Sequence, residues 1–277
     1  MLYDAHNHLQ DSALASHLDE IAAAYAEIGL ERAVVNGTCE ADWSDVTALA
    51  RRHQFVLPSY GLHPWDAGNR TPNWLDTLRA TLDTNPAAHI GEIGLDRWII
   101  DRARPDDPRL AGLRRAPLDE QAEVFRAQLA LAAGRNLVAS IHCLDAFGLL
   151  LEILETTPLP ARGFLLHAYS GPAEMLPQFV KLGAYFSFNG SFLSEKHIRH
   201  RGVFRRIPID RILVETDAPA MPPPAKYRPF LFSAPDEKLN HPANIAGTHA
   251  GLANAREVEP VALGVSVAQN FTRLFGG

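Results

Sequence analysis

Short apolar runs alternate with longer segments of helical periodicity along almost the whole chain. Leu2 to Ala5 reads as a short buried strand. From His17 to Ile28, apolar residues recur at helical spacing (Leu18, Ile21, Ala22, Tyr25, Ile28), and Gly29 can end the helix. Ala33–Val35 reads as a second strand, Asp42–His53 as a helix, and Val56–Tyr60 as a third strand that Pro58 should make imperfect. Trp74–Leu82 is helical, and His89–Gly94 carries a fourth strand. Pro117–Arg135 is the strongest helix, with Leu118, Val124, Phe125, Leu129 and Ala132 for a core face. Leu137–Ile141 is a fifth strand, followed by a helix over Asp145–Leu154 with Asp145 near its cap. Gly163–Leu166, a helix over Pro172–Leu182, Ala184–Phe188, a helical stretch over Ser194–Arg206 and Arg211–Val214 complete the series.

Eight strands separated by helical segments predict a parallel sheet, and eight is the number that closes a TIM-type (β/α)8 barrel. An open doubly wound sheet is the competing arrangement, but no glycine-rich dinucleotide fingerprint supports it. The tail differs. Ala218–Pro235 is proline-rich and irregular, while 242–254 and 258–275 read as extra C-terminal helices on the outside of the barrel. The alternation also pauses at 97–116. Six arginines stand there among aspartates and two prolines, so this stretch reads as a long loop or insertion. No convincing boundary divides the chain, and residues 1–277 are expected to form one domain.

Composition adds limits. With 47% apolar and 21% charged residues in 277, the chain can bury a sizeable core. A net charge of −6 argues against a globally cationic nucleic-acid binder, so any phosphate contact must come from a local patch or from metal. The two cysteines, Cys39 and Cys143, make no disulfide framework and fit reduced thiols. Cys143 in particular is expected to point into the core, away from its neighbour His142. No run reaches transmembrane length and no signal-peptide pattern opens the chain, which predicts a cytoplasmic protein with no membrane association.

Candidate chemistry follows from the strand ends, because barrel active sites are built there. Asp4-Ala5-His6-Asn7-His8 places two imidazoles on one side of the first strand end. His63 follows strand three, Glu92 lies in strand four, His142 follows strand five, His167 strand six and Asp217 strand eight; strand seven offers Asn189. A lone histidine after a strand is more often structural than a ligand. So many His, Asp and Glu converging in one mouth would be costly unless paired or bound to metal. The set exceeds the needs of one ion and suits two divalent ions with a bridging carboxylate. His6, His8, Glu92 and Asp217 are assigned to the first ion, and Glu92, His142 and His167 to the second. The expected nucleophile is a water between them, with Asp217 as its general base and then acid.

With these residues assembled, the chain resembles the TatD family of metal-dependent deoxyribonucleases, within the amidohydrolase-type barrels. The landmarks are Asp4–His8, Gly61-Leu62-His63-Pro64, Gly91–Asp96, Ile141-His142, His167–Gly171, Glu215–Pro219, Asn240–Asn244 and Asn270 before Leu274–Gly276. The resemblance implies a (β/α)8 barrel, the metal ligands assigned above and phosphodiester hydrolysis. It also implies DNA as partner, as single strands or 3′ ends, and Mg2+ as activator; Mn2+ and Zn2+ suit the same ligands.

Two departures stand out. The family usually carries an arginine two residues after the strand-five histidine, where this chain has Leu144. The 97–116 insertion could supply the missing cation, against the plainer reading of a solvated loop whose acids offset its arginines. The competing readings are hydrolysis of an amide, ester, lactone or aminoacyl-tRNA ester on the same site, and a non-catalytic scaffold, against which the complete ligand set argues.

The remaining candidates carry two readings each. His63 either hydrogen-bonds the scissile phosphate or shapes a turn with Pro64. Asp96 orients a ligand or caps the loop, Glu215 pairs with a barrel arginine or shares the mouth, and Trp65 and Trp98 stack on bases or pack at the rim. His17, His53, His89, His197, His200, His241 and His249 are read as surface or capping residues.

Overall fold

A computed structural model describes residues 1–233 and 239–276. The chain runs β1 (Leu2–Asn7), α1 (Leu18–Ile28), β2 (Leu30–Asn36), α2 (Trp43–Arg52), β3 (Val56–Tyr60), α3 (Trp74–Thr84) and β4 (His89–Asp96). A one-turn α4 (Trp98–Asp101) and α5 (Leu118–Arg135) follow. Then come β5 (Ala139–Leu144), α6 (Phe147–Thr156), β6 (Phe164–Leu166), α7 (Leu176–Lys181) and β7 (Ala184–Asn189). The last elements are α8 (Ile198–Arg206), β8 (Ile212–Glu215), α9 (Ile245–Arg256) and α10 (Pro260–Phe275). The eight strands pair in sequence order, all in parallel.

Closure between β1 and β8 is made just beyond the strands. The Asp217 amide donates to the His6 carbonyl at 3.0 Å, and the His8 amide to the Ala218 carbonyl at 2.8 Å. Asp4, fully buried, accepts from the Thr216 amide at 3.0 Å and from its hydroxyl. A buried carboxylate without such donors would be costly. Here it joins the two ends of the sheet and fixes the backbone that carries His6 and Asp217. Burial pushes its pKa up to about 7, although these bonds oppose the rise.

Helix α5 shows how an outer element positions the mouth. Its apolar face buries Val124, Phe125, Leu129 and Ala132, and Asn136 ends it in the left-handed conformation. Two glutamines on the same helix are buried. Gln128 brackets Leu62, accepting from its amide at 2.7 Å and donating to its carbonyl at 3.1 Å. Gln121 does the same to Asp96, at 2.8 and 3.1 Å. These bonds pin the ends of β3 and β4, next to His63 and at Asp96 itself. Gly94 lets β4 lie close against β5. Its φ is +144°, and a Cβ there would lie 1.9 Å from the His142 carbonyl oxygen.

Several boundaries differ from the sequence pattern. Pro58 does not break the β2 pairing, which runs in register from Ala33↔Val56 to Asn36↔Ser59. On its other side β3 pairs with β4 only at Ser59↔His89 and Tyr60↔Ile90, so the expected imperfection falls on one edge. Helix α6 starts at Phe147, and Asp145 does not cap it. Asp145 takes a left-handed φ of +57° and faces Arg102 at 3.4 Å. The helix expected from Pro172 opens as a 3-10 turn over Ala173–Met175 before α7.

The insertion has a small core of its own, Ile99, Ala103 and Leu110, packed against Trp65 and Trp98. The tail helices run over Ile245–Arg256 and Pro260–Phe275. Of the irregular stretch, Ala234 and Pro235 lie outside the described residues. No helix among the described residues is long and apolar enough to cross a membrane.

Candidate metal centre

The structure brings His6, His8, His63, Glu92, His142, His167 and Asp217 together at the carboxyl ends of the strands. Glu92 is the hub. Its Oε2 lies 3.3 Å from His6 Nε2 and 3.2 Å from His8 Nε2. Its Oε1 lies 2.8 Å from His167 Nε2, 3.1 Å from His142 Nδ1 and 3.4 Å from His63 Nε2. Asp217 Oδ1 stands 3.3 Å from His8 Nε2 and 3.8 Å from His6 Nε2. Three groups have ligand atoms mutually within 4.8 Å: His6/His8/Asp217, His6/Glu92/His167 and His63/Glu92/His142. His63, for which the sequence offers a phosphate contact or a turn with Pro64, thus also stands in one of these groups.

The far nitrogens of His8 and His142 have acceptor partners, and those partners decide which nitrogen lone pair faces the centre. His8 Nδ1 lies 2.8 Å from the Asn36 carbonyl, which can only accept, so Nδ1 carries the hydrogen. The neutral ring then turns the Nε2 lone pair toward Glu92 and Asp217. His142 Nε2 faces Asp96 Oδ2 at 3.2 Å, which leaves the Nδ1 lone pair aimed at Glu92. His167 Nδ1 stands 3.5 Å from Glu215 Oε1, a charge contact without a hydrogen bond, and its Nε2 points at Glu92. His6 Nδ1 sits 2.8 Å from the Ser140 hydroxyl. At His8 and His142 the centre thus sets lone pairs opposite carboxylate oxygens. His63 differs: its Nδ1 accepts from the Trp65 amide at 3.2 Å, so its Nε2 carries the hydrogen toward Glu92. Acceptors that face acceptors in a buried site need a cation between them, either a proton or a metal ion.

The ionisation preferences follow. Burial opposes charge on His8, but Asp217 and Glu92 hold it well above its ordinary value. Burial likewise opposes charge on His142, yet Asp96 and Glu92 raise it to about 9. Burial works against His167 too, and Glu92 and Glu215 raise it well above the usual range. On Glu92, burial pushes upward but the charges of His167, His63 and His6 hold it well below the usual carboxylate range. His6 is lowered, first by burial and then by His167, whose ring stacks on it with centroids 3.9 Å apart. These nitrogen and oxygen donors fit borderline divalent metals. Each histidine with a carboxylate or carbonyl behind it has the arrangement that orients and strengthens a metal ligand.

Several supporting residues differ from the sequence reading. Glu215 pairs with no arginine. It accepts from the Ser187 hydroxyl and, at 3.2 Å, from Asn189, with His167 beside it. Asn189 therefore holds Glu215 rather than joining the centre. Asp96 takes both of its expected roles, orienting His142 and accepting from the Ile99 amide at 3.2 Å, and it also accepts from the Trp65 indole at 2.6 Å. Cys143 is not a core residue alone; it packs on the core but also lines the cavity above the centre. Ser140 and Asn36 went unremarked in the sequence. Ser140 had a signal, since a period of two places it on the face of His142.

The cavity has a volume of about 660 Å³ and is walled by Leu144, Ala168, Phe192 and Met221 among others. Two histidines read as surface residues, His197 and His200, also line it. Arg109 is the one arginine or lysine among the described residues that line it, and Asp107 holds it through two nitrogens, at 3.0 and 2.7 Å. The other insertion arginines are engaged as well. Arg114 pairs with Glu120 at 2.6 Å, and Arg115 donates to the carbonyls of Ile99 and Ala103.

A parallel eight-stranded barrel with His, Glu and Asp clusters at its carboxyl ends defines a metal-dependent hydrolase. The chain belongs to the TatD family: the sequence model for TatD-related DNases matches residues 3–276. It is 29% identical over 276 residues, 99% of each chain, to the uncharacterized metal-dependent hydrolase YabD of Bacillus subtilis (strain 168). It is 25% identical over 276 residues, again 99% of each, to the 3′-5′ ssDNA/RNA exonuclease TatD of Escherichia coli (strain K12). Among solved structures, YJJV, a TatD homolog from Escherichia coli K12, superposes with a TM-score of 0.84 at 26% identity, covering 100% of this chain and 98% of that one. A TatD family hydrolase from Entamoeba histolytica reaches 0.80 at 18% identity with the same coverage, a likeness of fold.

Proposed function

We propose that this barrel, acting as one catalytic domain, is a two-metal phosphodiesterase that works on DNA, with single strands and 3′ ends as its substrates. The observation that carries the reading is the division of Glu92: one carboxylate oxygen faces His6 and His8, the other faces His63, His142 and His167. That division suits a carboxylate shared by two positions. His6, His8, Asp217 and Glu92 would hold the first ion, and Glu92, His142 and His167 the second, with His63 within reach. Divalent ions there, Mg2+, Mn2+ or Zn2+, would lower the pKa of water and offset charge on a phosphate. Asp217 takes a proton from the attacking water and returns one to the leaving oxygen. Its position 3.3 Å from His8 keeps the carboxylate ionised, since His8 and His167 outweigh the effect of its burial. The exonucleases among the relatives support the substrate class.

A second reading has its own observation. Leu144 stands where a cation would meet phosphate, and Asp107 already holds Arg109, so the same centre suits a neutral ester, lactone, amide or aminoacyl ester. An assay on single-stranded DNA and on small esters, with Mg2+, Mn2+ and Zn2+ compared, separates the two. Cleavage of DNA that Asp217→Asn abolishes, with about two equivalents of metal bound, is the expected result. Ester hydrolysis alone, or one equivalent at saturation, overturns the two-metal nuclease.

A further inference from the structure

One pair of side chains on the cavity rim takes no part in the metal centre. His197 ends a short 3-10 turn over Glu195–His197, and His200 lies in the first turn of α8. Residues three apart are neighbours on a helical surface. Their Nδ1 atoms stand 3.3 Å apart, so one ring donates and the other accepts. Phe192 holds the pair from one side. His200 stacks on it at 4.7 Å between centroids and 9° between planes, and His197 lies at 5.9 Å. Both rings are half buried, and both line the same cavity as His8, His63, His142 and His167.

The Nδ1 contact occupies one nitrogen of each ring. Neither Nε2 has a hydrogen-bond partner among the described residues, and no carboxylate there pairs with either ring. The ring that accepts at Nδ1 carries its hydrogen on Nε2. A proton taken up by the other ring makes both Nε2 atoms donors, which suits two oxygens of one anion. The charged groups around the pair favour an anion. Lys196 and Arg201 lie beside it, although Arg201 is tied to Glu195 at 3.6 Å and to the Phe192 and Ser194 carbonyls. Among the cavity-lining residues that are not candidate ligands, the charged groups are Asp66, Arg109 and Asp145; Arg109 is held by Asp107 and Asp145 by Arg102. Burial, Lys196 and Arg201 hold His197 below its ordinary value, and burial and His197 do the same to His200, so the pair alone is neutral and takes up its proton together with the anion. With leucine at 144, it is the uncommitted source of donors among the described lining residues.

We propose that His197 and His200 bind a phosphate of the nucleic-acid strand adjacent to the one being cleaved. The assignment rests on the nuclease reading above. It makes the pair a positioning element that grips the strand and leaves the chemistry to the centre. The discriminating experiment compares wild type with His197→Asn/His200→Asn, in the same metal, on a single-stranded decanucleotide and on a deoxydinucleotide, which has one phosphodiester and no neighbouring phosphate. The variant should raise KM for the decanucleotide about tenfold and leave kcat within about twofold. Its kinetics on the dinucleotide should stay within about twofold of wild type. An unchanged KM on the decanucleotide, or an equal loss on both substrates, overturns the proposal. Should the Asn variant melt markedly lower than wild type, His197→Gln/His200→Gln replaces it under the same criteria. If wild type cleaves neither substrate with any of the three metals, the nuclease reading fails first and the assignment falls with it.

Discussion

The bottom of β4 and the top of its neighbour β5 place the same residue type in opposite circumstances. At the bottom, His89 is 4% exposed, and both of its nitrogens are satisfied by backbone. Nδ1 accepts from the Val138 amide at 3.2 Å, and Nε2 donates to the Phe275 carbonyl at 3.2 Å. That neutral tautomer is complete, and burial drives its pKa down to about 4. At the top, His142 has one nitrogen on Asp96 and the other on Glu92, and its pKa rises to about 9. Burial acts the same way on both. The partners differ: a donor and an acceptor complete the first ring, while two carboxylates leave the second incomplete without a cation. Burial therefore does not distinguish a structural histidine from a candidate ligand. The distinguishing feature is a set of neighbours that a neutral ring cannot satisfy.

The largest break in that comparison should come from Glu92→Gln. An amide cannot serve both ligand groups as a bridging anion, so activity should fall by about 10³-fold or more, with metal stoichiometry reduced in a titration. Wild-type activity in that variant would refute the hub role.

Next come the residues behind the histidines. Asp96→Asn and Glu215→Gln should each weaken metal affinity or activity roughly 10- to 100-fold. The check is metal affinity by competition with a chelator; an unchanged affinity in both would show that the ring orientation is set elsewhere.

His89 predicts a stability effect instead. Its folded pKa lies below the ordinary value of 6.5, so the neutral ring contributes fully above pH 6.5, and that contribution is lost as pH falls toward 4. The loss amounts to about 3 kcal/mol. In urea titrations of metal-free protein, wild type minus His89→Gln should show this decline between pH 7 and 4, with little change in activity at pH 7.5. A flat difference would mean that His89 titrates normally.

The smallest effect is expected at the insertion. Its arginines are engaged with carboxylates or carbonyls, so Arg102/Arg104/Arg109 to alanine should leave the salt slope of DNA binding nearly unchanged. A slope reduced by about one or more per arginine would make the insertion a phosphate-binding patch after all.

Much was legible in the sequence because strand and helix periods are local. Leu2–Ala5, Val56–Tyr60 and Ala184–Phe188 carry their own patterns, and a barrel rule then turns each strand end into a prediction about the mouth. That logic found His6, His8, Glu92, His142, His167 and Asp217. It failed where the deciding partner is distant in the chain. Glu215 carried two readings, an arginine pair or a place at the mouth, and it meets no arginine among the described residues. Its partners Ser187 and Asn189 left no hint in the sequence; they meet it because β7 and β8 stand side by side, with His167 beside it. Gln121 and Gln128 stand outside the apolar pattern of their helix, yet they pin the ends of β3 and β4. His197 and His200 carried no signal, since only the fold turns α8 toward the cavity.

The sequence by itself determined the order of elements, the barrel class and the identity of the converging side chains, because those follow from periodicity and from position after each strand. The tertiary structure decided which nitrogen of each histidine faces inward, which oxygen of Glu92 serves which group, and that the insertion's arginines are already paired. Those outcomes depend on distances across the barrel, between residues far apart in the chain, and no local pattern encodes them.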